Sequence, residues 1–161
     1  MTTTEPLQVI QADGGVNGYD PGLSEPELLH CYRTMLLVRA FDAICLKLQR
    51  SGRIGFSIPN EGIEATQVGA ASALRKSDWI FPSYRDFGMA MYHGVPPLEM
   101  MHNMFGDARD GAKGRQMPVH FSFVEPIRFV SISSPIGTHI PQAVGAAHAA
   151  RLREDDTVVL A

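Results

Sequence analysis

The sequence has no excess of positive charge: Lys and Arg number 14 against 17 Asp and Glu, for a formal net charge of -3. Basic residues are scattered and do not alternate with aromatics, so composition gives no reason to expect nucleic acid. Long apolar runs are also missing. No stretch approaches the roughly 20 residues a membrane helix needs, and Met1–Asp20 has neither the basic flank nor the apolar block of a secretory signal. A cytoplasmic location is the expectation. Only two cysteines occur, Cys31 and Cys45. Both fall in one predicted helix, which would hold them about 21 Å apart, far beyond disulfide reach. Buried thiols in a reducing compartment fit better. No Gly-x-Gly-x-x-Gly, P-loop or Gly-x-Ser-x-Gly segment is present, and none of the six histidines has zinc-ligand spacing.

What remains is a globular profile, 45% hydrophobic and 19% charged over 161 residues, enough for one core. Residues 1–22 read as a flexible arm, broken by Gly14, Gly15, Gly18, Pro21 and Gly22. The domain proper is expected over 23–161. Ser24-Glu25-Pro26-Glu27 has the spacing of a capping box, predicting a helix from Glu25 to about Arg50 that stops at Gly52. Leu29, Tyr32, Leu36, Ala40 and Ala43 make its apolar stripe.

Gly62–Leu74 predicts a second helix, buried through Ala65, Gly69, Ala70, Ala71 and Ala73. Trp79–Phe81 reads as a short strand, and 85–93 and 97–105 as short helices. Residues 106–120 have no periodic face and form a long loop, a kind of segment usually functional or disordered. Phe129–Ser133 is read as a strand, Ile140–Arg153 as a helix and Thr157–Ala161 as a strand. Strand, turn, helix, strand is one βαβ unit, so the fold class is α/β with a parallel sheet and packed helices.

Three places could carry chemistry. Ser133-Ser134-Pro135-Ile136-Gly137-Thr138-His139 joins a strand to a helix start. Its hydroxyls and carbonyls could ligate a hard cation, and the helix end an anion; an ordinary capped turn has the same composition. In Ser83-Tyr84-Arg85-Asp86, Arg85 offers a planar fork to phosphate, or simply pairs with Asp86. His120 closes Gly114-Arg115-Gln116-Met117-Pro118-Val119-His120, either a wall of a substrate channel or a rigid turn.

Six segments in order carry a resemblance: Tyr32-Arg33-Thr34-Met35, Gly52-Arg53-Ile54-Gly55-Phe56, Tyr84-Arg85, Gly114 to His120, Ile132-Ser133-Ser134-Pro135, and Ile140-Pro141-Gln142-Ala143-Val144-Gly145-Ala146-Ala147. Across Pro26–Ala161 the chain resembles the α subunit of thiamine-diphosphate-dependent 2-oxo acid dehydrogenases, most closely the branched-chain (2-oxoisovalerate) type. The resemblance implies part of a thiamine-diphosphate-binding fold. Tyr84, Arg85, Ser134 and Ile136 would hold the cofactor, Ile136 supporting its bent form. Ser133, Pro135, Thr138 and His139 would form a potassium site, although the family usually has Gln where His139 stands. Phe56, Ile58 and His120 would border the substrate. The pyruvate type has His where Ile58 stands; an apolar wall there suits a branched side chain and favours the branched-chain type, one apolar contact being worth about 1–3 kcal/mol of discrimination between substrates.

The resemblance places the ligands of Mg2+ beyond Ala161 and an activating glutamate on a β subunit, with a lipoyl acyltransferase receiving the acyl group. Two alternatives stand beside this: a pyruvate or acetoin dehydrogenase α subunit, and a non-catalytic fragment, inactive alone and prone to self-association.

Overall fold

A computed structural model describes residues 8–18 and 20–161; the rest of the expected arm, residues 1–7 and 19, lies outside them. Residues 8–18 make a small hairpin, with an antiparallel bridge between Ile10 and Val16.

Helix α1, Glu25–Arg50, begins and ends where its signals lie. Glu27 Oε2 accepts from the Ser24 amide at 2.7 Å and from its hydroxyl at 2.6 Å, which satisfies an amide the helix leaves unpaired. At the other end the Gly52 amide donates to Gln49 O, and Gly52 takes φ +72, a backbone that favours glycine. The buried face of α1 is not the expected one. Thr34, Val38, Phe41, Asp42 and Cys45 point inward, whereas Leu29, Tyr32, Leu36, Ala40 and Ala43 are exposed. The helix has two apolar stripes, and periodicity alone cannot say which one the fold covers.

Helices α2 (Glu64–Ser72) and α3 (Gly88–Tyr92) pack on α1 and on each other. In α2 the expectation of burial through small residues holds only for Ala71 and, in part, Ala70. Ala65, Gly69 and Ala73 are exposed while Glu64, Gln67, Val68 and Ala71 are buried. Hydrogen bonds make this possible. Glu64 Oε1 accepts from Arg39 Nε and Oε2 from the Gly62 amide; Gln67 bridges Asn60 to α3, donating to Asn60 Oδ1 at 2.8 Å and accepting from the Gly88 amide at 2.7 Å. The pairing lowers the Glu64 pKa, led by Arg39. Gly88 admits this approach only because it lacks a Cβ, which would stand 2.5 Å from Gln67 Oε1.

The sheet is small and parallel. β1 (Trp79–Ile80) pairs with β2 (Val159–Leu160) in the register Trp79↔Val159 and Ile80↔Leu160. On its other side β1 meets the stretch around Phe129, through Ile80 N to Arg128 O and Val130 N to Ile80 O. The strand expected over Phe129–Ser133 reduces to bridges at Phe129 alone, a parallel one to Ile80 and an antiparallel one to Phe123. A clamp closes the amino-terminal ends of the strands. Asp78 accepts from the Val158 amide and from Arg75, and Arg75 also reaches Asp156 O at 2.6 Å.

Helix α4, Pro97–Phe105, ends on Gly106 in the left-handed region. The loop after it is ordered by two aspartates. Asp107 accepts from His102 Nδ1 and the Arg109 amide, and buried Asp110 from the amides of Ala112 and Gly114. A broken turn, α5 (Val124–Ile127), precedes the bridge, and α6 (His139–Leu152) packs on β2. The core gathers between these elements around Phe41, Phe87, Phe121 and Phe129. Phe87 makes edge contacts to Phe41 and Phe121 at centroid distances of 5.4 and 5.5 Å. Among the described residues no helix is long and apolar enough to cross a membrane.

Candidate active site

Two loops leave the sheet at its carboxyl-terminal side, the position where open parallel sheets receive ligands. The first follows β1. Asp86 Oδ2 accepts from the Ser83 amide at 2.7 Å and the Arg85 amide lies 3.3 Å from Ser83 Oγ, which curls the segment. Arg85 stands over the Tyr84 ring, 5.8 Å from its centroid, and Nη1 donates to Pro59 O at 3.2 Å. Arg85 thus does not pair with Asp86; its guanidinium leans on a neighbouring carbonyl and keeps further N–H groups for a ligand.

The second loop follows the Phe129 stretch. Thr138 Oγ1 lies 2.8 Å from Ser133 Oγ and 3.0 Å from Pro135 O, so three oxygens of the expected potassium set converge. Gly137, at φ +84, makes the turn possible. Ile136 is 91% exposed, the most exposed of the large hydrophobic residues described. His139 Nδ1 is buried without a hydrogen-bond partner.

The two loops share one cavity of about 150 Å³, bounded by Ser83, Tyr84 and Arg85 on one side and by Ser133, Pro135, Ile136, Gly137 and His139 on the other. The rest of the expected set, Ser134, Thr138, His120, Phe56 and Ile58, does not line this cavity. Ser134 and His120 are bonded to each other, His120 Nε2 to Ser134 Oγ. His120 Nδ1 lies 3.0 Å from Pro118 O; that carbonyl can only accept, so in the neutral ring Nδ1 carries the proton and Nε2 accepts from Ser134. Val119 before it sits at φ +66, a rare backbone for a β-branched residue, and marks a strained turn that presents His120. Phe56 and Ile58 are half-buried against the core, in the stretch that leads into Pro59.

A larger cavity of about 530 Å³ lies by α4 and the long loop and shares no residue with the first. Arg109, Arg115, Glu99 and Glu125 give it mixed charge, and both carboxamide atoms of Asn103 beside it are closed off from solvent. Among the described residues no His, Cys, Asp or Glu cluster could hold a metal.

Sequence reasoning missed Asp42, Pro59 and Asn60. The Asn60 amide donates to Asp42 Oδ2, so one peptide unit ties α1 to Arg85. An aspartate in register with Val38, Phe41 and Cys45 was the available signal.

Residues 32–161 match the family described as dehydrogenase E1 component. The chain is similar to the mitochondrial 2-oxoisovalerate dehydrogenase subunit alpha of Mus musculus, 45% identical over 88% of this chain and 32% of the relative. The Homo sapiens subunit gives the same figures. The 2-oxoisovalerate dehydrogenase subunit alpha of Bacillus subtilis (strain 168) is 44% identical over 84% of this chain and 41% of that protein. The chain therefore spans about a third of the length of the mammalian relatives it matches.

Proposed function

The chain belongs to the dehydrogenase E1 component family, and on that premise we propose that it forms part of the α subunit of a branched-chain 2-oxo acid dehydrogenase, which decarboxylates acids such as 2-oxoisovalerate oxidatively. The observation that carries this reading is the shared cavity: Tyr84 and Arg85 and the turn from Ser133 to His139, about 50 residues apart in sequence, face one another where the strands end.

Thiamine diphosphate, when bound, supplies the electron sink that decarboxylation needs. The chain's own residues fit one end of it. Arg85 presents its guanidinium fork to the diphosphate oxygens, with Tyr84 as a neighbouring donor. Ser134, whose hydroxyl proton goes to His120, offers the cofactor its oxygen lone pairs, and Ile136 stands clear of its own loop as an apolar prop. The oxygens of Ser133, Pro135 and Thr138 suit K+ as hard donors. His139 is the poor member of that set, since imidazole favours softer ions. Mg2+ would reach the diphosphate through ligands outside these residues.

His120, held between Pro118 O and Ser134, would form a wall of the substrate pocket. Phe56 and Ile58 offer apolar surface to a branched side chain. A β subunit would complete the site, and a lipoyl acyltransferase would take the acyl group.

The test is turnover by the chain in complex with its β subunit on 2-oxoisovalerate, pyruvate and acetoin. Preference for 2-oxoisovalerate is expected; a clear pyruvate or acetoin preference would move the reading to that branch of the family, and no thiamine diphosphate dependence would end it.

A further inference from the structure

The peptide unit between Pro59 and Asn60 is held from both sides. Its carbonyl oxygen accepts from Arg85 Nη1 at 3.2 Å, and its N–H donates to the Asp42 carboxylate on α1. We propose that Asp42 is a positioning residue for Arg85, and through it for the anionic group Arg85 receives, acting across this one amide. The inference rests on the reading of Arg85 as a diphosphate ligand.

The physical link is polarisation. A carboxylate that accepts from an amide N–H draws charge along the unit and makes its carbonyl oxygen a stronger acceptor, by roughly 10–30% per bond in a chain. Arg85 is thereby held on Pro59 O with its other N–H groups free. The grip extends further. Asn60 Oδ1 accepts from Gln67, whose Oε1 accepts from the Gly88 amide, three residues past Arg85. The backbone carrying Arg85 and the carbonyl it rests on thus belong to one hydrogen-bonded frame.

The buried Asn60 amide needs an acceptor here, but a neutral one would serve folding as well as an ionisable group. Asp42 is 6% exposed and lies among Val38, Phe41 and Cys45. Among the described residues no cation forms an ion pair with it: Arg39, on the same helix, is turned to Glu64. The charged groups facing it from the next segments are Glu64 and Glu61, both of which oppose its ionisation. Burial first and these carboxylates after it push the Asp42 pKa up to about 6, with hydrogen bonding from Asn60 working against them. The anchor is strongest when Asp42 is ionised, so Arg85 should loosen as pH falls through that value.

The variant Asp42→Asn keeps the side-chain shape and one acceptor oxygen for the Asn60 amide, removes the charge, and puts an NH2 group in place of the other oxygen. NMR of the full chain follows the Asn60 backbone amide and the Arg85 side-chain nitrogens between pH 4.5 and 8, while calorimetry follows thiamine diphosphate with Mg2+. In the wild type, both sets of signals are expected to titrate with one midpoint near 6, and in Asp42→Asn neither. At neutral pH the variant is expected to bind thiamine diphosphate about threefold to tenfold more weakly, the range of one weakened hydrogen bond. Across pH the variant also gives the ligand's own titration as a baseline.

Arg85 signals that ignore both pH and the substitution while Asn60 responds would overturn the inference, as would equal affinity of the two proteins for a ligand that Arg85→Ala loses. Arg85→Ala with unchanged affinity would instead remove the diphosphate reading and leave the coupling between Asp42 and Arg85 to the NMR.

Discussion

The His120 imidazole and the Ser134 hydroxyl are joined by a hydrogen bond that bridges the loop after Asp110 to the turn after the Phe129 stretch. His120 is 7% exposed, so Nε2 has no ready substitute partner. Ser134→Ala is therefore expected to cost about 1–3 kcal/mol of unfolding free energy, the range for a buried group left unsatisfied. Urea denaturation of Ser134→Ala, His120→Ala and the double variant checks it. Additive losses would mean that the two residues do not act as a pair.

Ile136 leads to the opposite expectation. With almost all its side chain in solvent, Ile136→Ala should change stability by no more than about 0.5 kcal/mol. It should still weaken thiamine diphosphate binding, because the apolar surface it removes is covered only when the ligand is present. A stable variant with unaltered affinity would take Ile136 out of the site.

Two buried aspartates carry opposite pH signatures. At Asp78 burial works to raise the pKa, but hydrogen bonds from Arg75 and from the Val158 and Arg75 amides prevail and hold it down to about 2. The clamp's stabilisation is then present above the unfolded value near 4 and disappears as pH falls through 2. With Arg75 half exposed, it amounts to about 1–2 kcal/mol. Acid unfolding of Asp78→Asn followed by circular dichroism should lack that component.

Asp42 runs the other way. Its raised pKa means that the folded state binds a proton more tightly than the unfolded chain, so stability falls as pH rises from about 4 to 6. The stability of Asp42→Asn relative to wild type should shift in the variant's favour by about 2 kcal/mol between pH 4 and pH 8, measured by urea midpoints at both values. A flat difference would mean that Asp42 is not buried as a charge.

Cys45 is free, buried and pushed up to about 12, by burial and then by Asp42. Iodoacetamide on the native protein should label the half-exposed Cys31 and leave Cys45 untouched until denaturant is added, as peptide mass spectrometry would show.

Much of this was legible in the residues, for physical reasons. The limits of α1 followed from local chemistry: Ser24 with Glu27 at its start and Gly52 at its end. The two loops of the site were found from residue types and resemblance, and the fold brings them to one cavity. What did not follow was anything set by partners distant in sequence. Leu29, Tyr32 and Leu36 look as inward as Val38 and Phe41 until α2 and α3 choose a side. Gln67 and Glu64 look like solvent residues until Gly88, Asn60 and Arg39 meet them. Phe129–Ser133 has the composition of a strand, yet only one residue of it bridges to β1.

The clamp of Arg75, Asp78 and Asp156 grips the strands where they begin, while Arg85, Ser133 and Ser134 stand where they run out. Rigidity and receptivity therefore occupy opposite ends of the same short ribbon. A guest settling among the loops could move their side chains and leave the heel of the sheet undisturbed. Selection for tighter docking and selection for a sturdier scaffold would fall on residues that share no contact, so each could proceed without undoing the other.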